Sequence, residues 1–202
     1  MLTDRSVNEL ASPHEELRGT DPRGRVAMTA VRPPVLPVPS REAVLVQALS
    51  GLEPVHYREA FAIAVDGERA PEAWARLLLE GASARRRTQM RRTWTALGLA
   101  LGPPDGPGYV LGWRVERQDA DAVVLAVDAR SGFSARIVLA VRRRRLVHTM
   151  VVRYDRWYAR PLWGAIAPRH RAFVRGLLAD LAVRVTTDVG IDEGRQAVRW
   201  AR

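Results

Sequence analysis

His170 lies in an apolar row of helical spacing, Leu162, Ile166, His170, Phe173, Leu177 and Leu181, and a histidine in such a row faces whatever the helix packs against. An imidazole there can work as a general acid or base, or orient a ligand oxygen through a ring N–H. The plain alternative is a core histidine satisfied by one buried carbonyl or water. His148 stands in a strand-like alternation with Leu146, Met150, Val152 and Tyr154, and parity turns it inward. Glu59 is the one carboxylate in a second alternation, Tyr57, Phe61, Ile63 and Val65. A buried carboxylate needs a partner or a raised pKa. A Glu–His pair meets both needs, so His170, His148 and Glu59 are the candidate catalytic residues. A register slip of one residue would turn every one of these strand side chains to the other face.

Around that trio, Tyr57, Trp113, Phe133, Met150, Tyr154, Ile166 and Phe173 are candidate ligand-binding walls, although aromatic residues at such positions are most often plain core. Asp128 and Arg136 share an outer face on neighbouring strands and are expected to pair across them. With no cysteine in the chain, a disulfide framework, a thiolate zinc site and a cysteine nucleophile are excluded. None of the four histidines has metal-ligand spacing to another. No metal and no cofactor are expected.

The elements that must position these residues read in order. A short helix runs from Ser40 to about Leu49, a strand over Val55 to Val65, and a helix pair from Pro71 to Gly81 and from Ser83 to Leu99. After a Gly- and Pro-rich turn come four strands, Tyr109 to Arg117, Ala122 to Asp128, Phe133 to Arg142 and Arg145 to Asp155. Their short connections imply antiparallel neighbours. A long helix from Trp157 to Val185 follows, broken or restarted at Pro168. The expected organisation is a disordered Pro-rich tail over 1–40, a helical lead-in over 41–53, an α+β domain over 54–185 and a C-terminal tail over 186–202. In that domain an antiparallel sheet of about five or more strands, with an inserted helix pair, is closed by the long helix.

The net charge is +10, and all 32 basic residues are arginine. An Arg-only chain rich in Ala, Val, Leu and Gly is the composition of a GC-rich genome, which weakens any inference from basicity to a nucleic-acid partner. Arginine clusters occur at Arg85–Arg87 with Arg91 and Arg92, at Arg142–Arg145, and at Arg169, Arg171 and Arg175. No helix-turn-helix, finger or aromatic RNA-binding signature accompanies them, so nucleic acid is the minority reading. No apolar stretch approaches bilayer-spanning length, and the acidic N-terminal segment lacks a signal-peptide pattern. The expectation is a cytoplasmic protein without a membrane span, its oligomeric state open.

Several segments carry a family resemblance: His56-Tyr57-Arg58-Glu59-Ala60-Phe61, Pro71-Glu72-Ala73-Trp74-Ala75, Gly112-Trp113-Arg114-Val115, Val124-Leu125-Ala126-Val127-Asp128, Thr149-Met150-Val151-Val152-Arg153 and Pro168-Arg169-His170-Arg171. In order and spacing they resemble domain of unknown function 2867, within the helix-grip, START-related superfamily of polyketide-cyclase-like and lipid-transport-like proteins. The resemblance implies a sheet gripped by the long helix around an internal cavity. It also implies a small apolar or aromatic ligand, either carried or transformed by a cyclase- or dehydratase-like reaction. The readings set against it are an Arg-rich binder of anionic surfaces, nucleic acid or acidic lipid, and an accessory partner of an oxidoreductase.

Overall fold

The computed structural model describes residues 34–66 and 68–200, with side chains as far as residue 186. The elements are β1 (Leu36–Pro37), α1 (Ser40–Ala48), β2 (Tyr57–Ala64), α2 (Pro71–Leu79), α3 (Ala84–Ala96), β3 (Tyr109–Val110), β4 (Trp113–Gln118), β5 (Ala122–Ala129), β6 (Phe133–Arg142), β7 (Arg145–Tyr154) and α4 (Ala159–Trp200). The strands form one open antiparallel sheet of seven, in the order β1-β2-β7-β6-β5-β4-β3. The chain is α+β, as its pattern implies.

Register decides which side chains share a face. Tyr57, Glu59 and Phe61 of β2 stand opposite Val152, Met150 and His148 of β7, and those stand opposite Ala135, Ile137 and Leu139 of β6. The face is therefore the one predicted by alternation, and it forms the main core. Two helices cover it, not one. α2 packs over β5 and β6, while α4 packs over β2 and against α2. Trp74 and Leu78 of α2 and Trp163, Val174, Leu178 and Leu181 of α4 are buried there. Pro71 at the first helical position and an i, i+4 Glu72–Arg76 bridge at 2.6 Å support α2 locally.

The opposite face is also apolar in its middle. Ala62, Ala122, Val124, Val138, Ala140 and Val147 form a smaller core there with Val46 of α1. α1 is thus a cover for the back of the sheet and more than a lead-in, which explains why the central residues of β5, β6 and β7 are buried on both faces.

Other expectations need correction. The segment placed in a tail ends in β1, where Leu36 and Pro37 pair with Ala62 and Phe61; proline is tolerated because this is the sheet edge. The remainder of that expected tail, residues 1–33, lies outside the described residues. The strand expected over Tyr109 to Arg117 is a hairpin, since Leu111 and Gly112 both take positive φ and turn β3 back onto β4. Leucine gives no warning of such a turn. Here it is held from both sides, its N–H donating to Glu80 Oε1 at 3.0 Å and its carbonyl accepting from Arg91 Nη1 at 3.1 Å.

Pro168 does not break α4. The carbonyl that loses its i+4 donor belongs to Gly164, an exposed residue. Buried anchors on either side, Trp163 and Ala167 before and Val174, Leu177 and Leu178 after, keep the two halves in line. The helix also runs past residue 185, to Trp200.

Candidate functional site

β2 presents Tyr57 and Glu59 on the covered face, β7 presents His148 diagonally from Glu59, and α4 brings His170 and Arg171 down from above. The Glu59 side chain is only 3% exposed, and His170 Nδ1 lies 2.7 Å from its Oε1. Neither atom has a hydrogen-bond partner, so the carboxylate sits off the line of the ring N–H; this is a close polar approach rather than an aligned bond. Tyr57 Oη donates to Glu59 Oε2 at 2.6 Å, and Arg171 Nε donates to Tyr57 Oη at 3.0 Å. Arg171 also stands 3.9 Å from Glu59 Oε2, half in solvent at 55% exposure, with its guanidinium 5.6 Å from the centre of the Tyr57 ring.

The electrostatics follow from that arrangement. Burial alone would raise the Glu59 pKa, but the adjoining His170, the Tyr57 hydroxyl and the His148 ring together hold it below its ordinary value. Burial, then the neighbouring carboxylate, pushes the Tyr57 phenol up to about 12, so it stays a donor. His148 is wholly enclosed, and burial drives it down to about 4. It is a neutral imidazole whose Nδ1 has no hydrogen-bond partner among the described residues.

Trp163 roofs the group. Its ring meets Tyr57 at 5.3 Å, Phe133 at 5.4 Å and His170 at 5.5 Å between centroids. Outside, a groove of about 320 Å³ lined by Gln47, Val55, His56, Tyr57 and Arg58 reaches the same tyrosine. Set against protein-family models, curated proteins and solved structures, the chain matches none.

Of the residues singled out by sequence, the fold brings together Tyr57, Glu59, His170, His148 and Met150, with Phe133 reached through Trp163. Trp113 is elsewhere. Three strands separate β4 from β2, about 19 Å at ordinary strand spacing, and Trp113 packs edge to face on Trp94 of α3 instead. Tyr154 stacks on His56 at the sheet end, at 5.1 Å. Phe173 is capped by Arg86 of α3, and Ile166 is a half-buried flank of the main core. The helix stripe is displaced from the expected one, because Trp163, Ala167, Val174 and Leu178 form its buried centre. His170 is at the margin, 19% exposed.

Two members of the site escaped sequence reading, Trp163 and Arg171. Trp163 stands two helical turns before His170, a spacing of seven that points to the same face. Arg171 stood among the basic clusters. The clusters themselves are largely structural. Arg86 pairs with Asp180, Arg87 donates to the Glu80 and Ala82 carbonyls, and Arg91 to Leu111. Arg142, Arg144 and Arg145 pair with Asp121, Asp66 and Glu42. Arg136 bridges Asp128 at 3.3 Å, the outer pair expected from alternation, and is joined by Glu116 at 2.5 Å. Among the described residues no group of three or more His, Asp or Glu is placed to hold a metal ion, and no helix is long and apolar enough to cross a membrane.

Proposed function

We propose that this chain is a helix-grip domain that binds a small apolar or aromatic molecule between the sheet and α4, with the Glu59–His170 pair receiving the molecule's polar group. The segment-by-segment resemblance to domain of unknown function 2867 and its START-related superfamily supports the same reading.

The observation that carries it is a carboxylate 3% exposed on the covered sheet face, beside a buried imidazole and a phenol, and held below its ordinary pKa by groups from three elements. Stability does not ask for it. Met150 opposite and Phe61 beyond fill the same face with apolar atoms, and taking a carboxylate out of water costs several kcal/mol before any pairing. Such an arrangement suits proton exchange. With Nδ1 turned to the carboxylate at 2.7 Å, His170 offers Nε2 to a ligand hydroxyl or carbonyl, while Glu59 holds the ring in place. Tyr57, kept protonated, holds the second carboxylate oxygen, so that Glu59 orients His170 and does not itself move. A carrier would use the pair to bind; a cyclase- or dehydratase-like enzyme would use the same His170 Nε2 to take or give a proton.

The test is titration of the full chain with naphthol, an apolar ring system bearing one hydroxyl, followed through the imidazole NMR resonances. Naphthol should shift the His170 resonances, and His170→Ala and Glu59→Gln should each weaken binding by about tenfold or more, with the fold retained. Binding unchanged by both substitutions, or no binding, would reduce the pair to core filling.

A further inference from the structure

The least expected surface of the molecule is the turn between β7 and α4. Trp157 is 86% exposed and Tyr158 41% exposed, although indole rings are ordinarily well covered. The turn is built rigidly. The N–H groups of Asp155 and Arg156 both donate to the carbonyl of Gly132, at 2.9 and 3.1 Å, and Ala159 closes onto the Arg156 carbonyl at 3.1 Å. Gly132 has a φ of +82°, and a Cβ there would lie 2.7 Å from Arg156 Cβ and 3.0 Å from Tyr158 Cε2. Glycine is needed at that point so that the β5–β6 turn can support the aromatic turn from beneath.

Arginines lie in and beside the two joined turns. Arg130, Arg156 and Arg160 are exposed, and among the described residues no ion pair engages any of them. The one acid in the turn, Asp155, is already held by Arg153 at 2.7 Å and by the Ser134 hydroxyl at 2.7 Å. This contrasts with the arginines of α3 and of the β6–β7 hairpin, most of which are tied to carbonyls or carboxylates.

We propose that this turn is a docking site for the surface of an anionic lipid bilayer, with Trp157 and Tyr158 entering the headgroup layer and Arg130, Arg156 and Arg160 meeting lipid phosphates and carboxylates. Indole and phenol rings favour the interface because one end is apolar and the other polar. Arginines beside them gain from the negative surface potential, each by about fivefold in partitioning. A nucleic-acid strand fits less well. Its bases need aromatic faces laid along a basic groove, whereas Trp157 and Tyr158 meet edge to face, at 81° between planes. Attachment would be peripheral, through a turn.

Sedimentation of the full chain with phosphatidylcholine vesicles containing about 30% phosphatidylserine, against pure phosphatidylcholine, tests the proposal at physiological salt. The expected result is clear preference for the anionic vesicles, lost by about fivefold or more in Trp157→Ala and in the double variant Arg156→Glu with Arg160→Glu. The charge-matched variant Arg85→Glu with Arg92→Glu, on the exposed part of α3, should bind as the parent does. Three outcomes overturn the docking site: no binding to anionic vesicles; equal loss in both charge-reversed variants, which would mean diffuse attraction; or full binding by Trp157→Ala. Preference for single-stranded DNA that depends on Trp157 would assign the turn to nucleic acid instead.

Discussion

His170 and Glu59 meet at 2.7 Å across the gap between α4 and β2, with the carboxylate off the line of the imidazole N–H. Their approach is set by how α4 seats on the sheet, through Trp163 on one side and Val174 and Leu178 on the other. A pair placed by packing and left short of ideal alignment can tighten when a ligand enters, as catalytic hydrogen bonds commonly do.

Replacing the pair by apolar residues should separate function from stability. His170→Ala alone leaves Glu59 Oε1 buried without its nearest polar neighbour and should cost about 1–3 kcal/mol. The double variant Glu59→Met with His170→Leu should be no less stable than the parent. Urea unfolding of the three proteins checks both. A double variant less stable than His170→Ala would make the pair a structural element.

The pH profile of stability should fall on the acid side. His148 titrates near 4 in the fold against 6.5 when free, so the unfolded chain binds more protons between those values. Its contribution is complete above 6.5 and is lost as pH falls toward 4, a loss of roughly 3 kcal/mol. Glu59, also depressed, adds a loss of the same sign as pH falls below its free value of 4.5. Denaturant titrations from neutral pH downward should show His148→Leu with a shallower slope than the parent, since that variant has no buried imidazole to charge.

Tyr57 should report the charges around it. Glu59→Gln removes the carboxylate that opposes phenolate formation, so the Tyr57 pKa should drop from about 12, yet stay above 10.0 because burial is the larger cause. Arg171→Ala removes a cation that favours phenolate and should move it the other way. Phenolate absorbance on alkaline titration, with Tyr57→Phe as the blank, reads both shifts.

The second core behind the sheet predicts a cost at a residue far from the site. Val46 of α1 is fully buried against Ala62, Val124 and Val147, so Val46→Ala should lower stability by roughly 2 kcal/mol. Naphthol binding should be unchanged. If Val46→Ala were neutral in thermal melts, α1 would be an ornament on the sheet and not its cover.

Much of this architecture is written in local pattern. The inward faces of β2, β5, β6 and β7 follow from period-two alternation, because one buried face suffices to set strand parity. The ends of α2 follow from Pro71 and Gly81. Patterns failed where one residue type serves two conformations. Leu111 takes a left-handed turn that its side chain does not advertise, Pro168 sits inside a helix that its neighbours hold straight, and Pro37 joins a strand because an edge lets it.

The sequence by itself determined that an acid, a phenol and two imidazoles lie on inward faces, since alternation and helical spacing say which way each side chain points relative to its own element. It did not determine which of them meet. That depended on strand order, which carries Trp113 to the far side of the sheet, and on the rotation of α4, which makes Trp163 its central residue and leaves His170 at the margin, against Glu59. Both are settled by side chains from different elements filling one space, and that information is spread over the whole chain and absent from any window of it.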